Sequence, residues 1–168
     1  RQYAGAGNMT QELAALGCLL RAGKGQQQVA AFHDQWRHER LVINKWFGLQ
    51  IGCAAPEAAV GVTRTLTQHP DFDWQNPNRF RAVFGSLTAH PAAFHQPDGS
   101  GYALLTDWLI RLDPLNPQTT ARMVTAFETL KRYDAGRQAK MRTALDRIGA
   151  APGCSRDTGE MVTRILGG

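Results

Sequence analysis

At 168 residues, 43% hydrophobic and 20% charged, the chain has the make-up of a globular domain, which excludes a disordered polymer. Its most apolar windows, such as ELAALGCLL at 12–20, are short and amphipathic, so no membrane span and no membrane partner are expected. The net charge of +5 raises nucleic acid as a partner, but acids are interleaved with the bases throughout. Even the densest basic stretch, LKRYDAGRQAKMRTALDR at 130–147, contains Asp134 and Asp146 and reads as a solvated helix face, so no nucleic acid is expected.

Apolar residues recur at helical spacing from the beginning. Met9, Leu13, Leu16 and Leu20 form a first stripe closed by Gly23, and Val29, Phe32 and Trp36 form a second. LVINKWFGLQI, residues 41–51, is apolar on most sides and predicts a central, buried helix. Pro56 opens the next helix, with Ala59, Val62 and Leu66 inward, and Pro70 blocks its continuation. Asn76–Pro77 is a helix start, an N-cap side chain followed by proline at the first helical position, and that helix runs to about Ala89. HQPDGSG follows as a turn.

Leu105, Trp108, Leu109 and Leu112 mark another helix, and Asn116–Pro117 repeats the start signal ahead of Met123, Phe127 and Leu130. RYDAGRQ is a corner in which Asp134 caps a helix carrying Met141, Leu145 and Ile148. Ser155 caps the last helix, with Met161, Val162, Ile165 and Leu166 on one side. The fold class is therefore all-α: eight or nine helices, starting near 9, 25, 40, 56, 77, 101, 117 and 134. This even pitch predicts stacked antiparallel pairs in a short curved α-solenoid-like array, one domain over 1–168 with no internal linker.

No catalytic constellation is legible. The histidine pairs 33/38 and 90/95 are five residues apart. Two helical rings share a metal only at three or four. There is no H-E-x-x-H, no nucleophile elbow and no phosphate loop, and DGSG at 98–101 reads as a turn. Catalytic residues, metal and cofactor are thus expected to be absent from this chain. Cys18, Cys53 and Cys154 are read as buried free thiols of a reducing, cytoplasmic location. Cys154 lies near a helix start, which can lower a thiol's pKa, but no base accompanies it. The opening RQYAGAGNMT has neither an initiator methionine nor a signal segment and suggests a piece of a longer polypeptide.

Four stretches carry a family resemblance: LVINKWFGLQ (41–50), the run 69–102 with NPNRFR and FHQPDGSGY, LDPLNPQTTARM (112–123) and LKRYDAGRQAKM (130–141). Together, in this order, they closely resemble the C-terminal helical domain of bacterial alanyl aminopeptidases of the aminopeptidase N type, which are gluzincin zinc metallopeptidases. The similarity runs from about Asn8 to the C-terminus. It implies a parent enzyme that removes N-terminal residues from peptides, with zinc held in the parent and not in this chain. The partners implied are the catalytic and other N-terminal domains of the same polypeptide, together with peptide substrates. The helical domain would cap the catalytic domain, enclose a cavity and lend side chains to the substrate channel.

On that resemblance Arg81 matches the second arginine of the family's NPNR-x-R helix start, and Arg122 the arginine after NPQ in the next Asn–Pro helix. Both are expected to point toward the peptide channel and meet peptide carbonyls or a peptide carboxylate, the competing expectation being an internal salt bridge. Arg79 lies about 200° of helix rotation from Arg81 and cannot share its face. It is expected to pair with an acid such as Asp73 or with another domain. Phe94, His95 and Tyr102 would anchor the PDG turn, and Trp46, Phe47 and Trp108 would be core. Two other classes compete. A stand-alone helical-repeat adaptor would have an initiator methionine just before Arg1, and an RNA-binding helical domain would bind polyanion in a strongly salt-dependent way.

Overall fold

The computed structural model describes residues 7–168. Among them are ten helices, counting residues 77–88 as one, and no strand. They are α1 (Met9–Arg21), α2 (Gln26–Trp36), α3 (Arg40–Gly52), α4 (Pro56–Leu66), α5 (77–88), α6 (Pro91–Phe94), α7 (Ser100–Leu112), α8 (Pro117–Val124), α9 (Ala135–Gly149) and α10 (Arg156–Gly167). The helix beyond the expected count is α6, a single turn between Pro91 and the PDG loop.

The polar caps act where the sequence puts them. Asn8, Asn76, Asn116, Asp134 and Ser155 each accept a hydrogen bond from a backbone N–H of the first turn they precede. α2 starts differently, from Gly25 at φ 95°, where an added Cβ would lie 2.8 Å from Leu19 Cβ. Two departures from regular helix stand out. α5 passes through a π-helical turn at Arg81–Gly85, and α8 loosens into 3-10 turns at Thr125–Phe127 and Leu130–Arg132. Met123, Phe127 and Leu130 still reach the interior, but on a chain that changes pitch beneath them.

α3 is the centre of the first half and buries Val42, Ile43, Trp46, Phe47 and Ile51 against α1, α2, α4 and α5. In the second half α7 packs on α8 and α9, and α10 closes over both of these. One continuous apolar core runs through both halves, from Leu16 and Phe32 through Phe84 and Trp108 to Leu145 and Ile165. Gly48 and Gly101 permit the closest approaches. An added Cβ would stand 2.7 Å from Ser86 Oγ at the first, and 2.6 Å from the Phe94 carbonyl oxygen at the second.

Two polar clusters are built into this core. Asp113, 3% exposed, accepts from Ser155 N (2.6 Å), Ser155 Oγ (2.7 Å) and Thr158 Oγ1 (2.6 Å), so the end of α7 caps α10. His95 bonds the Tyr102 hydroxyl at 2.7 Å and stacks on Tyr133 at 4.0 Å, while Arg137 Nε donates to its carbonyl oxygen. Burial pushes the Tyr102 hydroxyl pKa up to about 12. This cluster, with Phe94 also buried, anchors the PDG loop as the sequence suggests.

Of the three free cysteines only Cys53 is buried, Cys154 is half-buried and Cys18 is exposed, which corrects the expectation of three buried thiols. Cys18 falls on the outer side of α1, beside the buried Ala15–Gly17 turn. No helix of the described residues is long and apolar enough to cross a membrane.

Candidate functional site

The segment from His69 to Arg81 holds most of the chemistry-bearing side chains. Asn76 Oδ1 accepts from Asn78 N (3.0 Å) and Arg79 N (3.2 Å), and Pro77 fills the first helical position, so α5 begins abruptly and throws its arginines to different sides. Arg79 turns inward. Its guanidinium donates to the Asp71 carbonyl oxygen at 3.0 Å and lies 5.0 Å from the centre of the Phe47 ring, while its buried Nε has no acceptor. Burial pulls its pKa down. The expected ion pair with the Asp73 carboxylate does not form; a backbone carbonyl and an aromatic face hold Arg79 instead. Its task is structural: it pins the connector before α5 to α3.

Arg81 points outward at the start of the π-helical turn. Its Nε donates to the Pro77 carbonyl oxygen (3.2 Å) and its terminal nitrogen to Asn78 Oδ1 (2.7 Å), and it has no acidic partner among the described residues. Arg122, on the last turn of α8, is exposed, and no hydrogen bond or ion pair engages its guanidinium among the described residues. The two candidate arginines therefore lack a carboxylate partner among the described residues and stand on separate helices, with no bond between them. A third exposed guanidinium went unread in the sequence. Arg111 stacks over Trp108 at 4.3 Å and Trp74 at 5.0 Å, an arrangement signalled only by the i, i+3 spacing of Trp108 and Arg111.

Behind Arg79 lies a second cluster. His33 Nε2 donates to Asp71 Oδ2 at 2.5 Å, and the Asp71 N–H donates to His69 Nδ1 at 3.1 Å. The imidazoles of His33 and His69 are 5.0 Å apart, edge to face, with Trp46 packed on both and Phe47 against His69. The His33 bond holds the Asp71 carboxyl below its usual range, and burial, helped by His33, pulls His69 down. The sequence reading missed this group because its members stand on separate elements.

One surface groove lies elsewhere. It encloses about 470 Å³ between Leu20, Gln26, Cys53, Ala58 and Leu66 and holds none of the candidate arginines. Cys154 is not an activated nucleophile, since burial and the nearby Asp113 push its thiol up.

Residues 1–167 match the family model described as a domain of unknown function with ARM repeats, DUF3458_C. Aminopeptidase N of Haemophilus influenzae is 39% identical over 169 residues, covering 99% of this chain and 19% of that protein. Aminopeptidase N of Escherichia coli is 41% identical over 170 residues with the same coverage, and that of Caulobacter vibrioides 39% over 168 residues. The chain thus spans about a fifth of the length of these relatives. Among solved structures, Legionella pneumophila aminopeptidase A, crystallised with aspartic acid, superposes with a TM-score of 0.91 at 30% identity, over 99% of this chain and 20% of that one.

Proposed function

The chain belongs to the DUF3458_C family of ARM-repeat domains, and from that membership we propose that it serves as the C-terminal helical domain of a peptide-cleaving aminopeptidase. In this reading residues 1–168 are one domain without a catalytic centre. It covers the catalytic domain of the same polypeptide, encloses the substrate cavity, and works in the cytoplasm. The observation that carries the reading is the alignment of 99% of the chain with aminopeptidase N relatives at about 40% identity.

Arg81 and Arg122 then supply positive charge to the substrate channel. Both are exposed here, and neither is neutralised by a carboxylate among the described residues. A covering domain would exclude water from them and strengthen their attraction for a peptide carboxylate or backbone carbonyl. Arg81 is already ordered by Pro77 and Asn78, so it loses little side-chain freedom when a ligand arrives.

The H-E-x-x-H motif that would hold the catalytic zinc of such an enzyme does not occur in this chain. The nearest approach to H-E-x-x-H is His38–Glu39–Arg40–Leu41–Val42, which lacks the second histidine. No catalytic step is therefore assigned to these residues; their part is to bind, orient and exclude water.

The test is kinetic and uses the intact parent polypeptide. Arg81→Ala and Arg122→Ala should each raise KM for a tripeptide by about tenfold or more, the equivalent of one charge-assisted hydrogen bond. An alanyl anilide, with no residue downstream of the cleaved bond, should be affected far less. Equal effects on both substrates refute the channel role, and a parent without aminopeptidase activity refutes the reading as a whole.

A further inference from the structure

We propose that His33, His69 and Asp71 form a binding site for a divalent transition-metal ion of the zinc type. Each offers one donor atom, and the three donors lie within 4.8 Å of one another. His33 stands on α2, while Asp71 follows 38 residues later in the connector beyond α4, so an ion held here straps two separate elements together.

Two imidazoles and one carboxylate form the donor set that zinc, nickel or cobalt takes and that magnesium and calcium do not. Zinc–ligand bonds of about 2.0–2.1 Å in tetrahedral geometry separate donors by roughly 3.4 Å. The trio therefore needs shifts of only about an ångström. His33 Nε2 and Asp71 Oδ2, now 2.5 Å apart, open slightly, and His69 closes in. Three protein donors leave one position for solvent, on the side where Asp71 is 41% exposed.

The surroundings suit a ligand site. The other nitrogen of His33, Nδ1, faces the Asp34 carboxylate at 3.8 Å, beyond hydrogen-bond distance, so Asp34 adds negative charge near the site without fixing the ring. Trp46 and Phe47 wall the two rings and limit their rotation. Binding also has costs. The ion displaces the proton shared by His33 and Asp71, His69 turns away from the Asp71 N–H, and the nearby Arg79 charge opposes a dication. These lower the affinity and leave the donor set complete.

The experiment uses the 168-residue chain itself, stripped with chelator and titrated with Zn²⁺ by calorimetry, with Co²⁺ absorption as a spectroscopic check on coordination. Saturable uptake of about one ion per chain is expected, with a rise in Tm and no response to Mg²⁺. His33→Gln and His69→Gln should each weaken binding at least tenfold. His38→Gln, an exposed histidine away from the trio, should leave it unchanged, and circular dichroism will verify that every variant is folded. The absence of saturable uptake overturns the proposal, and so does zinc binding that survives both His33→Gln and His69→Gln.

Discussion

Asp113→Ala tests how the two ends of the second helical half are fastened. The carboxylate is 3% exposed and accepts three hydrogen bonds, of 2.6, 2.7 and 2.6 Å, from Ser155 N, Ser155 Oγ and Thr158 Oγ1. Bonds to a charged acceptor each contribute about 1.5–3 kcal/mol, of which part is offset by no longer burying the charge. Alanine would also strand the Thr158 hydroxyl, which is 0% exposed, and the Ser155 N–H. Ser155 Oγ would keep only its bond from Thr158 N at 3.2 Å. The net loss should be about 3–5 kcal/mol, or on the order of 10 °C in Tm for a chain of this size. Asp113→Asn keeps one acceptor oxygen and should lose roughly half as much. Urea denaturation followed by circular dichroism gives the number, with an unchanged m-value as the condition for using it. A loss below about 1 kcal/mol for Asp113→Ala would mean that the network is replaced by water and does not close α10 onto α7.

Two further perturbations follow from the same packing. Gly101→Ala places a methyl group 2.6 Å from the Phe94 carbonyl oxygen, where only backbone could move, and should cost about 1–3 kcal/mol in the same denaturation assay. The His95–Tyr102 pair sets the pH limits of stability. Burial, with Arg137 acting the same way, lowers the His95 pKa, so the unfolded chain binds the proton more readily; this stability is full above about pH 6.5 and is lost as pH falls through the lowered value. Tyr102, raised to about 12 by burial, contributes stability that is full below about pH 10 and is lost as pH rises toward 12. Tm measured against pH should fall at both ends, the acid slope easing in His95→Gln and the alkaline slope in Tyr102→Phe.

Local signals made the helices legible in the sequence. The Asn–Pro pairs at 76 and 116, Asp134 and Ser155 are caps whose hydrogen bonds depend only on the first turn that follows, and all four act as expected. What stayed hidden depends on packing at a distance. The π-helical turn at Arg81–Gly85 lies where α5 passes against Gly48 of α3, and no periodicity in RAVFG announces it. The same holds for the change of pitch after Val124. Arg79 was expected to seek the carboxylate of Asp73, but it found the carbonyl oxygen of Asp71 and the face of Phe47. The trio of His33, His69 and Asp71 escaped a search for histidines spaced along one helix, since its parts meet only through the fold. The family likeness came from strung-together motifs and not from any site chemistry.

The arginines of NPNRFR raise an energetic question, because a cation in the first turn of an exposed helix costs about 0.3–1 kcal/mol. Within the fold both have an answer of their own: Arg79 bonds the Asp71 carbonyl oxygen, and Arg81 bonds Pro77 O and Asn78 Oδ1. An external anion is thus not required to explain their placement. Arg122 differs. It lies in the last turn of α8, where the helix dipole favours a cation, yet its guanidinium has no acceptor among the described residues. Arg122→Ala should therefore change stability by no more than about 0.5 kcal/mol, whereas Arg81→Ala also removes the bonds to Pro77 and Asn78. A KM effect in the Arg122 variant reports on the ligand alone, which makes it the cleaner of the two tests for a channel-facing charge.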